Sequence, residues 1–385
     1  MNRPRFVVAT PGRSVCDNNA RALEENDLLR FIALGTRRGT AGVPAEHTRL
    51  NPWIGLVGYM AARTMSTFHG ESFRFRLLPW FDRWVKRQLH AGDHIVSSYG
   101  YTNESFEWVR RHGGKTLVDA GNSHPANFWE ILSEEHARWH SPYPPVARHW
   151  IDRSLAMMEQ VDYVLSPSTY VTESFLARGF RSEQILRNVY PVNLDCFTPA
   201  KERRSKSRPL TLISTGMLSL RKGTPYLLEA FRIVRKEIPG VRLLLTQQIQ
   251  DNVKPILEKY SDLPIEWSPS LPHEQLAARL RNADLFILPS LEEGLARTAL
   301  EALACGLPII VTPHTGANDA VIPGINGEVV PVRDPPAIAQ AIMVWRDKVF
   351  SDSWEPRPLL DIKQFSFEHF AQRFMQQLRT IGLAE

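Results

Sequence analysis

Short, buried-looking apolar runs alternate with helix-period segments along this chain, and that alternation constrains the fold more than any other feature. In the C-terminal half, strand-like runs at Leu210–Ser214, Val241–Leu245, Leu285–Leu288 and Pro308–Val311 are separated by helical segments beginning at Thr224, over His273–Arg281 and over Arg297–Ala304. Such a β-α alternation predicts a parallel sheet with helices on both faces, the doubly wound α/β class. The N-terminal half repeats the pattern more loosely, with strands at Phe6–Ala9, His94–Ser97, Lys115–Asp119 and Tyr163–Ser166 and a helix over Ala20–Phe31. Between the halves, the charged stretch Lys201–Arg208 follows Pro199 and precedes Pro209, which reads as a linker.

A chain of 385 residues exceeds what one core usually organises, so two Rossmann-like domains are expected, over 1–200 and 201–365. A last helix within 366–385 lies beyond two prolines and is free to return to the first domain. With 43% hydrophobic and 23% charged residues, a wholly disordered chain is excluded. No apolar run reaches the length of a membrane span, and the apolar stretch near the N-terminus is too short for a signal peptide, so a cytoplasmic protein is expected. The three cysteines are far apart and lack metal-ligand spacing, which predicts reduced thiols and no structural zinc. The net charge of +5 is shared between the halves, and neither is a nucleic-acid-binding basic domain.

Two segments carry chemistry. The first, SLEEGLARTALEALACGLPII from Ser290 to Ile310, begins just after a strand, at the edge where doubly wound sheets bind ligands. Glu293 and Glu301 lie on it eight residues apart, and ionised carboxylates accept hydrogen bonds from sugar or ribose hydroxyls. Gly294 permits close backbone approach. The second, GMLSLRKGTP from Gly216 to Pro225, places Arg221 and Lys222 beside a helix start, with Thr224 as expected N-cap. Helix N-terminal N–H groups and two cations suit a diphosphate without a metal. Solvated glutamates and a solvated basic pair are the plainer alternatives.

Together the segments resemble the retaining glycosyltransferases of family 4, the glycosyl transferases group 1 type with the GT-B fold. The likeness rests on Glu293-x7-Glu301, Pro289-Ser290, Gly306-x-Pro308, the G-x-L-x-x-R-K-G loop and Gly316 to Gly327, with a looser match over Val161–Pro199. The resemblance implies two Rossmann-like domains with an interdomain cleft, and a metal-free hexosyltransferase that needs no cofactor. By this resemblance such an enzyme would move sugar from a nucleotide diphosphate sugar to a carbohydrate or lipid-linked acceptor in polysaccharide or glycoconjugate biosynthesis. By the same resemblance Glu293 contacts donor-sugar hydroxyls and Glu301 the ribose; Gly216, Arg221 and Lys222 serve the diphosphate, and backbone amides of Gly294, Leu295 and Ala296 touch the sugar. His124, in KTLVDAGNSHP, stands where the family often has a cleft histidine, and its near-neutral pKa would let either protonation state act.

Departures are visible. Met217 stands where a phosphate-binding arginine is frequent, and Thr246-Gln247-Gln248 replaces a glycine-containing turn. The family's usual glycine pair after the first strand is absent, with only Gly12 in Pro11-Gly12-Arg13. Pro79–His90 reads as an amphipathic helix, with Trp80, Phe81, Trp84, Val85 and Leu89 opposite Asp82, Arg83, Lys86 and Arg87; such a stripe fits core packing or a peripheral contact at the inner face of a membrane. A nucleotide-sugar epimerase or hydrolase on the same fold, or a noncatalytic nucleotide-sugar binder, are the rival functions. A nicotinamide oxidoreductase is set aside, because no G-x-G-x-x-G follows the first strand.

Overall fold

The computed structural model describes residues 5–12, 14–35, 40–200, 207–246, 248–355, 357–359 and 361–385. Most of the expected linker (201–206), together with Arg13 and Gln247, lies outside the described residues.

The chain forms two compact units. The first comprises 1–133, 143–190 and 367–385, and the second 134–142 and 191–366. In the first unit β1 (Phe6–Thr10), α1 (Cys16–Glu24), β2 (Leu29–Leu34) and β3 (Thr48–Leu50) are followed by three consecutive helices, α2 (Pro52–Thr64), α3 (Thr67–Arg76) and α4 (Leu78–Lys86). Then come β4 (His94–Ser97), α5 (Asn103–Arg111), β5 (Thr116–Asp119), α6 (Pro125–Arg138), α7 (Arg148–Met158), β6 (Tyr163–Ser166), α8 (Thr169–Leu176) and β7 (Ile185–Arg187). The strands form one parallel sheet in the order β3-β2-β1-β4-β5-β6-β7.

The second unit contains β8 (Thr211–Thr215), α9 (Thr224–Glu237), β9 (Arg242–Thr246), α10 (Lys254–Glu258), β10 (Ile265–Ser268), α11 (His273–Asn282), β11 (Leu285–Leu288), α12 (Arg297–Ala304), β12 (Ile309–Val311), β13 (Gly327–Val329) and α13 (Pro335–Val349). Its parallel sheet runs β10-β9-β8-β11-β12-β13. Counted from β8, this is the 3-2-1-4-5-6 order of the Rossmann fold, which reverses between β8 and β11 and opens a crevice beyond their carboxyl ends. The last helix, α14 (Phe367–Thr380), packs on α1 in the first unit.

Three local expectations change. Ala20–Phe31 is not one helix: α1 stops at Glu24, Asp27 turns with a φ of 56°, and Leu29 enters a buried strand. The apolar spacing fits either element, and burial of LRFIAL between β3 and β1 decides for the strand. In α4, Phe81 and Val85 are buried in the core and Trp84 packs partly against it, while Trp80 turns outward at 68% exposure. Asp82, expected on the polar face, is fully buried because it caps α5: its carboxylate accepts from the Glu104 and Ser105 amides at 2.8 and 3.0 Å and from the Ser105 hydroxyl at 2.7 Å. Among the described residues no helix is long and apolar enough to cross a membrane.

Candidate active site

The β8–α9 loop and the β11–α12 loop leave adjacent strands at the crevice of the second sheet and are fastened together. The Leu291 amide donates to the Arg221 carbonyl at 2.8 Å, and the Arg221 Nη1 donates to the Glu292 carbonyl at 3.0 Å. Gly223 adopts a φ of 68° and lies so close to the Pro289 carbonyl oxygen that any Cβ would overlap it. Glycine alone tolerates both conditions. The helix N-cap is therefore Gly223 and not Thr224, whose hydroxyl instead accepts from the Ser219 amide at 3.0 Å.

This fastening brings Arg221, Lys222 and Glu293 together. Glu293 Oε2 lies 2.8 Å from Arg221 Nη1 and also accepts from the Lys222 ammonium. Burial by itself would raise the Glu293 pKa, but the two cations outweigh it and hold the carboxyl below its ordinary value. Burial lowers the Lys222 pKa more than Glu293 restores it. Sequence alone does not single out Glu292. It is fully buried, with its Oε2 3.5 Å from Arg221 Nη1, so the arginine faces two carboxylates. Its only sequence signal is adjacency to Glu293. Nor does sequence point to His314: its Nδ1 lies 2.9 Å from the Leu291 carbonyl, which steadies the same loop.

Glu301 sits in the middle of α12, 7% exposed, and burial pushes its pKa to about 7 against only the opposing charge of Arg297. It can thus exist in either protonation state near neutrality. Gly216, with a φ of 123°, turns the chain directly after β8 beside the Lys222 side chain. Gly294, Leu295 and Ala296 are buried between β11 and α12, and the Ala296 amide is already committed to the Thr315 carbonyl at 3.0 Å. Of the three expected sugar-facing amides, that one is engaged within the protein.

His124 belongs to the first unit, immediately before α6. Its Nδ1 accepts from the Ala126 amide at 3.2 Å, its own amide donates to Ser174 Oγ at 2.9 Å, and its ring meets Phe175 edge-on. Burial first, and then Arg178, lowers its pKa to about 4. The expected choice of protonation states is therefore closed: the imidazole is neutral at neutral pH, with the proton on Nε2. Within the second unit Glu135 is fully buried, accepting from Tyr226 Oη at 2.7 Å and pairing with Arg333 Nε at 2.8 Å.

Residues 198–348 match the family model described as "Glycosyl transferases group 1". The chain is 26% identical over 235 residues to the putative colanic acid biosynthesis glycosyltransferase WcaL of Escherichia coli K12, covering 58% of this chain and 56% of the relative. It is 28% identical over 257 residues to the GDP-mannose-dependent alpha-(1-6)-phosphatidylinositol monomannoside mannosyltransferase of Mycolicibacterium smegmatis, covering 61% of this chain and 62% of that one. The matches thus span little more than half the length of these relatives. Among solved structures, sucrose-phosphate synthase from Thermosynechococcus elongatus superposes with a TM-score of 0.71 at 20% identity, covering 98% of this chain and 99% of that one. Anabaena HepE in complex with UDP gives 0.65 at 14% identity, covering 98% and 100%. Residues 198–348 are accordingly a glycosyl transferases group 1 domain, in a chain that has the fold of the GT-B glycosyltransferases.

Proposed function

We propose that this protein is a retaining glycosyltransferase of the hexosyltransferase type, moving a sugar from a nucleotide diphosphate sugar to an acceptor hydroxyl, without a metal, in polysaccharide or glycoconjugate biosynthesis. The observation that carries the reading is the Arg221–Lys222–Glu293 cluster where the second sheet reverses its strand order, beside the N-terminus of α9. When the bond between the anomeric carbon and the diphosphate oxygen breaks, its electron pair goes to the diphosphate. Two fixed cations and a helix N-terminus stabilise that charge as it develops. Glu293, ionised and beside them, accepts hydrogen bonds from the transferred sugar's hydroxyls; Glu301 accepts from the ribose. The acceptor oxygen attacks from the face the diphosphate leaves, and its proton passes to the departing phosphate.

Two similar proteins name a donor component, GDP-mannose for one and UDP for the other, which supports a nucleotide diphosphate and leaves the base open. The test is a melting-temperature comparison with UDP, GDP and ADP, followed by turnover of the matching nucleotide sugar with and without acceptor. A ligand that binds only the folded state raises the midpoint. One of the three should do so, with acceptor-dependent release of nucleotide; no shift from any of them would reject the reading.

A further inference from the structure

Residues 134–142 lie outside the matched domain yet belong to the second unit, and they reach three separate points on it. Glu135 makes two of these connections. Its Oε1 accepts from Tyr226 Oη at 2.7 Å and from Trp139 Nε1 at 2.8 Å, and its Oε2 pairs with Arg333 Nε at 2.8 Å. Tyr226 is in the first turn of α9 and Arg333 directly precedes the α13 cap, so one buried carboxylate ties two helix starts together. Burial first, and then the bond to Glu135, push the Tyr226 phenol up to about 12, which keeps it a donor. Arg333 has a φ of 61°, a backbone state that a residue other than glycine holds only where its surroundings fix it, and Glu134 adds a second contact at 2.9 Å. The third point is Asn252, whose Nδ2 lies 3.3 Å from His136 Nε2.

The first turn of α9 is continuous with the loop that carries the cations. The Tyr226 amide donates to the Gly223 carbonyl at 3.0 Å, the Gly223 amide to the Leu220 carbonyl at 2.9 Å, and the Lys222 amide to Ser219 Oγ at 3.2 Å. A shift of Tyr226 therefore carries Arg221 and Lys222 with it. An apolar contact would hold the two helix starts together without fixing their register, whereas directed bonds to a buried carboxylate fix both. We propose that Glu135 is a positioning residue: through Tyr226 it fixes the Arg221–Lys222 loop and so sets the phosphate affinity of the donor site. The effect on the donor rests on the glycosyltransferase reading; the brace does not.

Native-state hydrogen exchange of the full chain reads the brace directly. In Glu135→Ala the amides of Ser219, Lys222, Gly223 and Thr224 should exchange about tenfold faster or more, with those of β8 and β11 unchanged. Tyr226→Phe deletes one hydroxyl and leaves the Arg333 pair in place; it should give the same pattern at several-fold, and it serves if the alanine variant does not fold. Glu135→Gln keeps an oxygen for Tyr226, so the loop should recover to within about twofold of the wild type. In that variant the Ala337 amide, bonded to the Asp334 cap next to Arg333, should still exchange faster. Loop amides that exchange as in the wild type, or a rise of equal size throughout the unit, overturn the proposal. For the donor, whichever of UDP, GDP and ADP raises the wild-type melting temperature should bind Tyr226→Phe about fivefold more weakly, while its parent nucleoside binds both proteins alike. Unchanged diphosphate affinity in a variant with a loosened loop overturns the link to phosphate binding. No nucleotide-induced shift in the wild type rejects the glycosyltransferase reading alone, and the exchange rates still decide the brace.

Discussion

Arg221 Nη1 stands 2.8 Å from Glu293 Oε2, so on the proposed reading an incoming diphosphate would compete with the glutamate for the same cation. Lys222 is shared in the same way. Glu293→Gln removes a negative charge from beside the proposed phosphate position while keeping the shape. Free UDP or GDP should then bind several-fold more tightly, whereas transfer should fall because the sugar loses a charged acceptor. Calorimetry with the nucleotide alongside turnover checks both signs; weaker nucleotide binding would mean that Glu293 does not face the phosphate's counter-charges.

Glu301 should make stability fall as pH rises. Its carboxyl holds a proton up to about 7 in the folded protein but ordinarily loses it near 4.5 when unfolded. Between these values the folded state binds more protons, and the contribution is present below the lower pKa and lost through the upper. Glu301→Gln should therefore stabilise the protein at pH 8 by up to about 3 kcal/mol and have little effect at pH 4.5. Denaturant melts at the two pH values measure this.

The same group should couple nucleotide binding to proton release. Ribose hydroxyls favour the ionised acceptor, so binding lowers the Glu301 pKa, and a fraction of a proton should appear at pH 6.5. Calorimetry in two buffers of different ionisation enthalpy detects it, and Glu301→Gln should abolish it.

Asp82 tests the core of the first unit. Asp82→Ala strands two amides and a hydroxyl at the start of α5, together with the Arg153 guanidinium 3.3 Å away, and should cost about 3 kcal/mol in urea unfolding. Asp82→Asn, which keeps one acceptor oxygen, should cost less.

On the proposed mechanism transfer should continue in excess EDTA, because Arg221 and Lys222 would supply the charge that a metal otherwise brings. Loss of turnover restored by magnesium or manganese would contradict this.

How legible the molecule is in its sequence varies with the physics of each part. Leu285–Leu288 and Arg297–Ala304, which flank Glu293, have the bounds expected, because an uninterrupted apolar run and a capped helical repeat have few other solutions. The edge strands Ile265–Ser268 and Gly327–Val329 carry patterns too weak to read, since an edge is only partly buried. Asp82 has the signature of a surface residue because its partners lie on another helix, remote in sequence. The chemical states of His124 and Glu301 are beyond reach for a related reason. A pKa near 4 or near 7 is set by the neighbours that exclude water, and Phe175 beside His124 is contributed by a different helix.

The close approach of Gly223 to the Pro289 carbonyl has an implication for redesign. The two loops are neighbours in space but far apart in sequence, and the gap between them is set by an atom that is missing. A methyl group at 223 would act as a wedge, parting the cation-bearing loop from the acid-bearing one, so the distance between them cannot be tuned by degrees. On the proposed function, changing which sugar the scaffold handles would therefore be a matter of altering what the second loop carries, not how far it stands from the first.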